Sequence, residues 1–329
     1  MKLASLKHGG RDGTLVVVDR ALEHAVEAGS IAPTLQDAIE NWPIAAPRLA
    51  ALAAALEAGN HSDAFDLDVA QLASPLPRAF QFLDGSVYLG HMEKARGARG
   101  APMPPNYKTE PLMYQGLSDH FMGPIDPIVL PSEELGIDYE PEVAVILDDV
   151  PMGIAPEGAA KHVKLAMLMN DVTLRVLTLT ELPKQFGFLQ AKPTSAFSPV
   201  AVTLDELGSD WDGEKFHGRL LSSVNDKPIG KPDAGVGMFF TYPQLIAHAA
   251  RTRRLSAGTI LGAGTVSNED EASGSGCLAE LRVHEQLEFG APRTPFLKSG
   301  DRLRIEMLDR KGRSIFGAID QRVEITGRR

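Results

Sequence analysis

Two glutamates one residue apart head an apolar run in the stretch DYEPEVAVIL, residues 138–147. The run Val143 to Leu147 has the alternating, β-branched character of a strand. In a strand, residues i and i+2 share a face roughly 6.6 Å apart, so Glu140 and Glu142 aim two carboxylates at one place. Like charges so close repel unless a cation lies between them or one takes up a proton. A hard divalent ion such as Mg²⁺ or Ca²⁺ is the simplest neutraliser, because it prefers carboxylate oxygens. The plain alternative is a solvated strand end bearing two surface acids. A third carboxylate, Asp171, follows the apolar run AMLMN, and Arg175 lies four residues beyond it. Lys192 sits between apolar runs, just before Pro193, where it either snorkels to water or points into a cleft. Asp84 precedes His91 by seven residues in the segment 82–100, whose part GSVYLGH is too broken by glycine to read as helix or strand.

Other chemistries fit less well. Ser118, Asp119 and His120 adjoin in sequence, whereas triad members are neighbours in space, and no G-x-S-x-G elbow occurs. Gly262 and Gly264 lack the rest of a dinucleotide fingerprint. Small residues there let the backbone approach a ligand closely, with the Thr265 hydroxyl nearby. A net charge of −10 argues against a nucleic-acid partner. The single cysteine, Cys277, excludes an internal disulfide framework and a cysteine zinc cage. The polar start has no apolar core of a signal peptide, and no apolar run has bilayer length. A soluble cytoplasmic protein is the expectation.

The elements that must position these residues are read from periodicity. Residues 2–20 form a hairpin across HGGRDG, and 34–58 are helical, with Thr34 and Asp37 as a capping pair and Gly59 as the stop. Residues 1–72 are taken as a small N-terminal domain and 73–329 as a catalytic domain, joined through the proline-held stretch QLASPLPRAF. Residues 101–137 are loop-rich, a length that usually shapes a site. The segment 203–218 reads as a surface excursion, and RLLSSVNDKPIG as a hairpin turning at Asn225-Asp226. An amphipathic helix is expected in FFTYPQLIAHAARTRRL. GSGCLAELRV leads into a strand bearing Glu280, and a strand pair around KGRS closes the chain.

With these pieces in order the chain resembles the fumarylacetoacetate hydrolase family. The E-x-E pair is matched by Glu140 and Glu142, the M-N-D segment by Asp171, the lysine stretch by Lys192 in KPTSAFSP, and the G-T-x-S turn by Gly264 to Ser267. The resemblance spans roughly residues 75–329. It implies an α+β, predominantly β fold, a mixed β-roll with a small N-terminal domain. It also implies one Mg²⁺ or Ca²⁺, with Mn²⁺ as a further option, held by Asp84, Glu140, Glu142 and Asp171. His91, paired with Glu280, would be the general base, with Lys192 stabilising negative charge. Tyr114, Arg175 and Thr265 would bind substrate, and Thr194 or Ser195 would stand in for the threonine usual after the lysine. Thr178 and Leu182 stand where the family places substrate-contacting Gln and Tyr. The implied activity is hydrolytic cleavage of a carbon–carbon bond in a β-diketo acid, a step of tyrosine or aromatic catabolism, by a homodimer. The alternatives are hydration, decarboxylation or isomerisation of a 2-oxo acid at the same site, or a non-catalytic member of the fold.

Overall fold

The computed structural model of the chain describes residues 1–97 and 102–327. Residues 98–101, where the glycine-broken segment meets the long loop, lie outside them. The opening hairpin forms as its pattern requires, β1 (Lys2–Leu6) pairing antiparallel with β2 (Thr14–Val18). β3 (His24–Glu27) adds to β2. Thr34 caps α1 (Leu35–Glu40) by accepting the Asp37 amide, and α2 (Trp42–Glu57) ends before Gly59, whose φ of +68° admits the turn. β4 (Phe65–Asp66) pairs with β3 at the sheet edge.

The middle of the chain supplies β5 (Phe82–Gly85), α3 (Leu89–Gly97), β6 (Met113–Gln115), β7 (Ile128–Leu130), β8 (Ile137–Asp138) and β9 (Pro141–Leu147). α4 (Pro156–Ala159), a single turn, precedes β10 (Val163–Asn170), β11 (Thr173–Leu174) and α5 (Arg175–Glu181). The last third holds β12 (Ala196–Phe197), β13 (Ala201–Thr203), α6 (Leu204–Leu207), β14 (Leu220–Val224) and β15 (Lys227–Gly230). It ends with α7 (Tyr242–Ala249), β16 (Ile260–Gly262), α8 (Leu278–Phe289), β17 (Arg302–Met307) and β18 (Ile319–Ile325).

The architecture is α+β and dominated by sheet. One long sheet runs β4-β3-β2-β1-β13-β10-β9-β16-β5-β6, and a second runs β15-β14-β17-β18-β7. The strands of the first 72 residues therefore continue the sheet of the later chain, β1 pairing with β13. β9 lies near the middle between β10 and β16, and all seven of its residues are buried. Val143, Val145 and Leu147 enter one core cluster, Ala144 and Ile146 the other. Glu142, 0% exposed, and Glu140, 5% exposed, are thus no solvated strand end.

Two expectations change. The segment 203–218 is not a mere surface excursion: Leu207 and Phe216 are buried, and Phe216 packs against Trp211 and Tyr242. Its acids and glycines mask three apolar anchors spaced too irregularly to show a period. Glu280 is carried by a helix, α8, and not by a strand. The five residues CLAEL fit either period, but the full run LAELRVHEQLEF is rich in strong helix formers and stops at Gly290, φ +80°. Among the described residues no helix is long and apolar enough to cross a membrane.

Candidate active site

Strand register brings the acids together. β16 lies between β5 and β9, with Gly262 opposite both Asp84 and Ala144. β10 pairs Met169 with Glu142, which leaves Asp171 just beyond the strand end. Oxygens of Asp84, Glu142 and Asp171 all lie within 4.8 Å of one another, and the three residues are buried. The Gly264 amide donates to Asp84 Oδ1 at 3.1 Å and to Glu142 Oε2 at 3.0 Å. Glu142 Oε1 has no hydrogen-bond partner. Burial, followed by the charge of Asp171, pushes Asp84 up to about 8. Burial and the charges of Asp84, Asp171 and Glu140 push Glu142 well above the carboxylate range. An orphaned buried oxygen in a trio of crowded carboxylates fits a hard divalent cation, which takes oxygen ligands and cancels the repulsion.

Beside this trio lies a layer of cations. Lys192 Nζ donates to Glu140 Oε2 at 2.5 Å, Asp171 Oδ2 at 2.5 Å and Thr173 Oγ1 at 2.8 Å, which uses all three ammonium protons. Burial works to depress Lys192, but Asp171 and Glu140 outweigh it and hold the ammonium form. Burial likewise works to raise Glu140, and Lys192, Arg175 and His91 overcome it, so Glu140 is ionised. Tyr114 donates its hydroxyl to Asp171 Oδ2 at 2.7 Å, and Ser195 Oγ donates to Asp171 Oδ1 at 3.1 Å. Ser195, rather than Thr194, supports the acid.

The structure also places the imidazole. His91, on α3, sets Nδ1 2.6 Å from Glu280 Oε1, and its Nε2 lies 3.7 Å from Glu140 Oε1. Glu280 Oε2 accepts the Gly276 amide at 2.9 Å and the Ser267 hydroxyl at 3.0 Å. Burial would raise Glu280, yet the His91 bond and charge, Lys94 and the Gly276 amide bring it down to about 2. Asp84, His91, Tyr114, Glu140, Glu142, Arg175, Lys192 and Thr265 all line one cavity of about 290 Å³. Its apolar wall includes Leu112, Met113, Leu182 and Phe188, and Thr178 also faces it.

Two residues are engaged differently from expectation. Arg175, expected to bind substrate, lines the cavity and also donates Nε to Asp138 Oδ2 at 2.8 Å and Nη2 to Glu140 Oε1 at 2.7 Å. Glu140 stands beside the trio with both oxygens on cations, whereas the other three acids converge. Asp138 and Thr173 join the site from outside the residues that spacing singles out. Asp138 is fully buried, and its signal was an aspartate two residues ahead of the glutamate pair. Thr173 carries no signal until Lys192 folds against it.

A family model described as Fumarylacetoacetate (FAA) hydrolase C-terminal matches residues 81–324, and one described as Fumarylacetoacetase N-terminal domain 2 matches residues 1–78. The chain is 28% identical over 212 residues to a fumarylacetoacetase of Arabidopsis thaliana, covering 56% of this chain and 50% of that protein. It is 26% identical over 246 residues to the oxaloacetate tautomerase YisK of Bacillus subtilis, covering 73% and 71%. The chain spans about half the length of several curated relatives that it matches. The structure of maleylpyruvate hydrolase from Sphingobium sp. SYK-6, in complex with manganese (II) ion and pyruvate, superposes with a TM-score of 0.65 at 18% identity, covering 100% of both chains.

Proposed function

Since the chain belongs to the fumarylacetoacetate hydrolase family, we propose that it is a divalent-metal-dependent hydrolase that cleaves a carbon–carbon bond of a β-diketo acid, fumarylacetoacetate or a related acylpyruvate. Asp84, Glu142 and Asp171, with Glu140 adjoining, would hold Mg²⁺, Ca²⁺ or Mn²⁺. Such an ion supplies Lewis acidity towards the oxygens of a 1,3-diketone or its enolate. His91 takes a proton from water at Nε2 while its Nδ1–H stays on Glu280, whose carboxylate stabilises the resulting imidazolium. The hydroxide adds to the acyl carbonyl. Collapse of the adduct breaks the bond between that carbon and the methylene, whose carbon keeps the electron pair as an enolate and is then protonated. The products are a carboxylic acid and an oxo acid: a 2-oxo acid from an acylpyruvate, a 3-oxo acid from fumarylacetoacetate. Lys192, with its three protons engaged, holds Glu140 and Asp171 in place and adds a positive charge near the developing oxyanion. Tyr114 orients Asp171. Thr265 lies in the cavity wall, where it would bind substrate.

The observation that carries this reading is His91, held by Glu280 at 2.6 Å and lining the same cavity as Asp84, Glu140 and Glu142. The test is turnover of acylpyruvates and fumarylacetoacetate with Mg²⁺, Ca²⁺ or Mn²⁺ and with chelator. His91→Ala is expected to lower kcat by about 10²- to 10⁴-fold, and chelation to abolish activity. Cleavage at the wild-type rate in His91→Ala would remove the dyad from the mechanism. A second reading, tautomerisation of a 2-oxo acid, draws support from the oxaloacetate tautomerases among the relatives. It needs the proton shuttle but no attacking water. Enol–keto exchange without carbon–carbon cleavage would favour it.

A further inference from the structure

We propose that Asp138 is a positioning residue that seats the first turn of α8 so that Glu280 meets His91, and that Arg175 ties this seat to Glu140. The inference rests on the reading of His91 and Glu280 as the working dyad. The first amides of a helix have no partner within it and need acceptors from outside. At the head of α8 the N-cap residue, Cys277, supplies no side-chain cap. The acceptor comes from elsewhere in the chain. Asp138 Oδ1 takes the Leu278 amide at 3.0 Å, and Oδ2 takes the Ala279 amide at 3.0 Å. A carboxylate there also meets the positive end of the helix dipole.

Glu280 is the next residue. Wherever Asp138 holds the two amides, the Glu280 carboxylate follows, and its window is narrow. One oxygen must reach His91 Nδ1, while the other stays on the Gly276 amide and the Ser267 hydroxyl. Asp138 is itself fixed. It is 0% exposed and lies in β8, paired with Thr173 of β11, and Oδ2 also accepts Arg175 Nε. Nη2 of the same guanidinium donates to Glu140 Oε1. One carboxylate–guanidinium–carboxylate chain therefore spans the two halves of the site, acids on one side and dyad on the other. Asp138 does not line the cavity, so it acts through Glu280 and not on substrate. Outer partners of this kind typically matter by about 10- to 100-fold.

Asp138→Asn and Ala279→Pro are compared with wild type, all saturated with Mg²⁺. Ala279→Pro deletes one of the two amides without touching any charge. A proline at that place in the first turn already occurs in α2 and α7, as Pro43 and Pro243. Two quantities are read: the far-downfield proton of the His91–Glu280 hydrogen bond in protein labelled at histidine, identified by its loss in Glu280→Gln, and kcat and KM for an acylpyruvate. Asp138→Asn is expected to lose the downfield proton and to lower kcat by about 10- to 100-fold with KM within about threefold. Ala279→Pro is expected to act in the same direction and less strongly. Retention of the proton and of wild-type kcat in both variants overturns the proposal. If Asp138→Asn fails to fold, Ala279→Pro decides. If wild-type protein cleaves no diketo acid, the functional reading fails, while the proton signal still judges the positioning role.

Discussion

At the scale of single residues the site is a contest between burial and charge. Lys192 is the residue on which the balance turns, since Glu140 and Asp171 both rely on its ammonium. Removing one partner of a buried ion pair leaves the others uncompensated, at a cost of about 3–5 kcal/mol. Lys192→Met is therefore expected to destabilise the metal-free protein by that amount, and Mg²⁺ should restore more stability than in wild type. Urea unfolding with Mg²⁺ and with chelator checks both. The acid trio also sets a pH dependence. The folded state raises Asp84 to about 8. In chelated buffer the stability that this group contributes is complete below the ordinary carboxylate range and is lost as pH rises through about 8. An ion that binds only the native cluster offsets that loss, so the rise in Tm caused by Mg²⁺ should be larger at about pH 8 than at about pH 5. Equal shifts would sink the assignment of the trio as ligands.

At the scale of elements, close approach of strands is what lets the acids meet. Gly262 lies in β16 opposite Asp84, and a Cβ there would run into Asp84 Oδ1 and come within 2.8 Å of Met169 Cε. The glycines of 262–264 were legible as places of close approach. What comes close is the chain's own Asp84 and Gly85 as well as the cavity. Gly262→Ala is expected to cost about 1–3 kcal/mol through overpacking and to weaken Mg²⁺ binding by shifting Asp84, read by denaturant unfolding and by calorimetric titration. α8 teaches the opposite lesson. Its buried residues include Leu278 and Glu280, an i, i+2 pair that mimics a strand, because Glu280 turns inward for His91 and not for an apolar core. A functional side chain thus disguised the period of its own helix.

At the scale of the whole molecule, β9 is the spine. Ile146, 0% exposed, belongs to one core cluster while its neighbours Val145 and Leu147 belong to the other. Ile146→Ala is expected to lower stability by about 2–5 kcal/mol, with kcat per folded molecule unchanged, since the residue lies outside the cavity lining. Equilibrium unfolding with activity measured well below the midpoint checks this. The sheet also runs without a break from β4 to β6 through β9, so strands from the start of the chain (β1–β4) and from its later part (β16) brace the strand that carries Glu142.

The sequence alone determined which groups are present and much of their local setting. The glutamate pair heads a strand, Thr34 caps a helix, Asn225-Asp226 turns a hairpin, and the acids, lysine and histidine come in a recognisable order. These features rest on interactions within a few residues, where spacing and side-chain type suffice. Tertiary structure alone decided which of the four acids converge, that Arg175 bridges two carboxylates, that Ser195 braces Asp171, and that Asp138 caps a helix 140 positions away. Those outcomes depend on strand register and on competition among buried charges, and neither leaves a periodic trace in the chain.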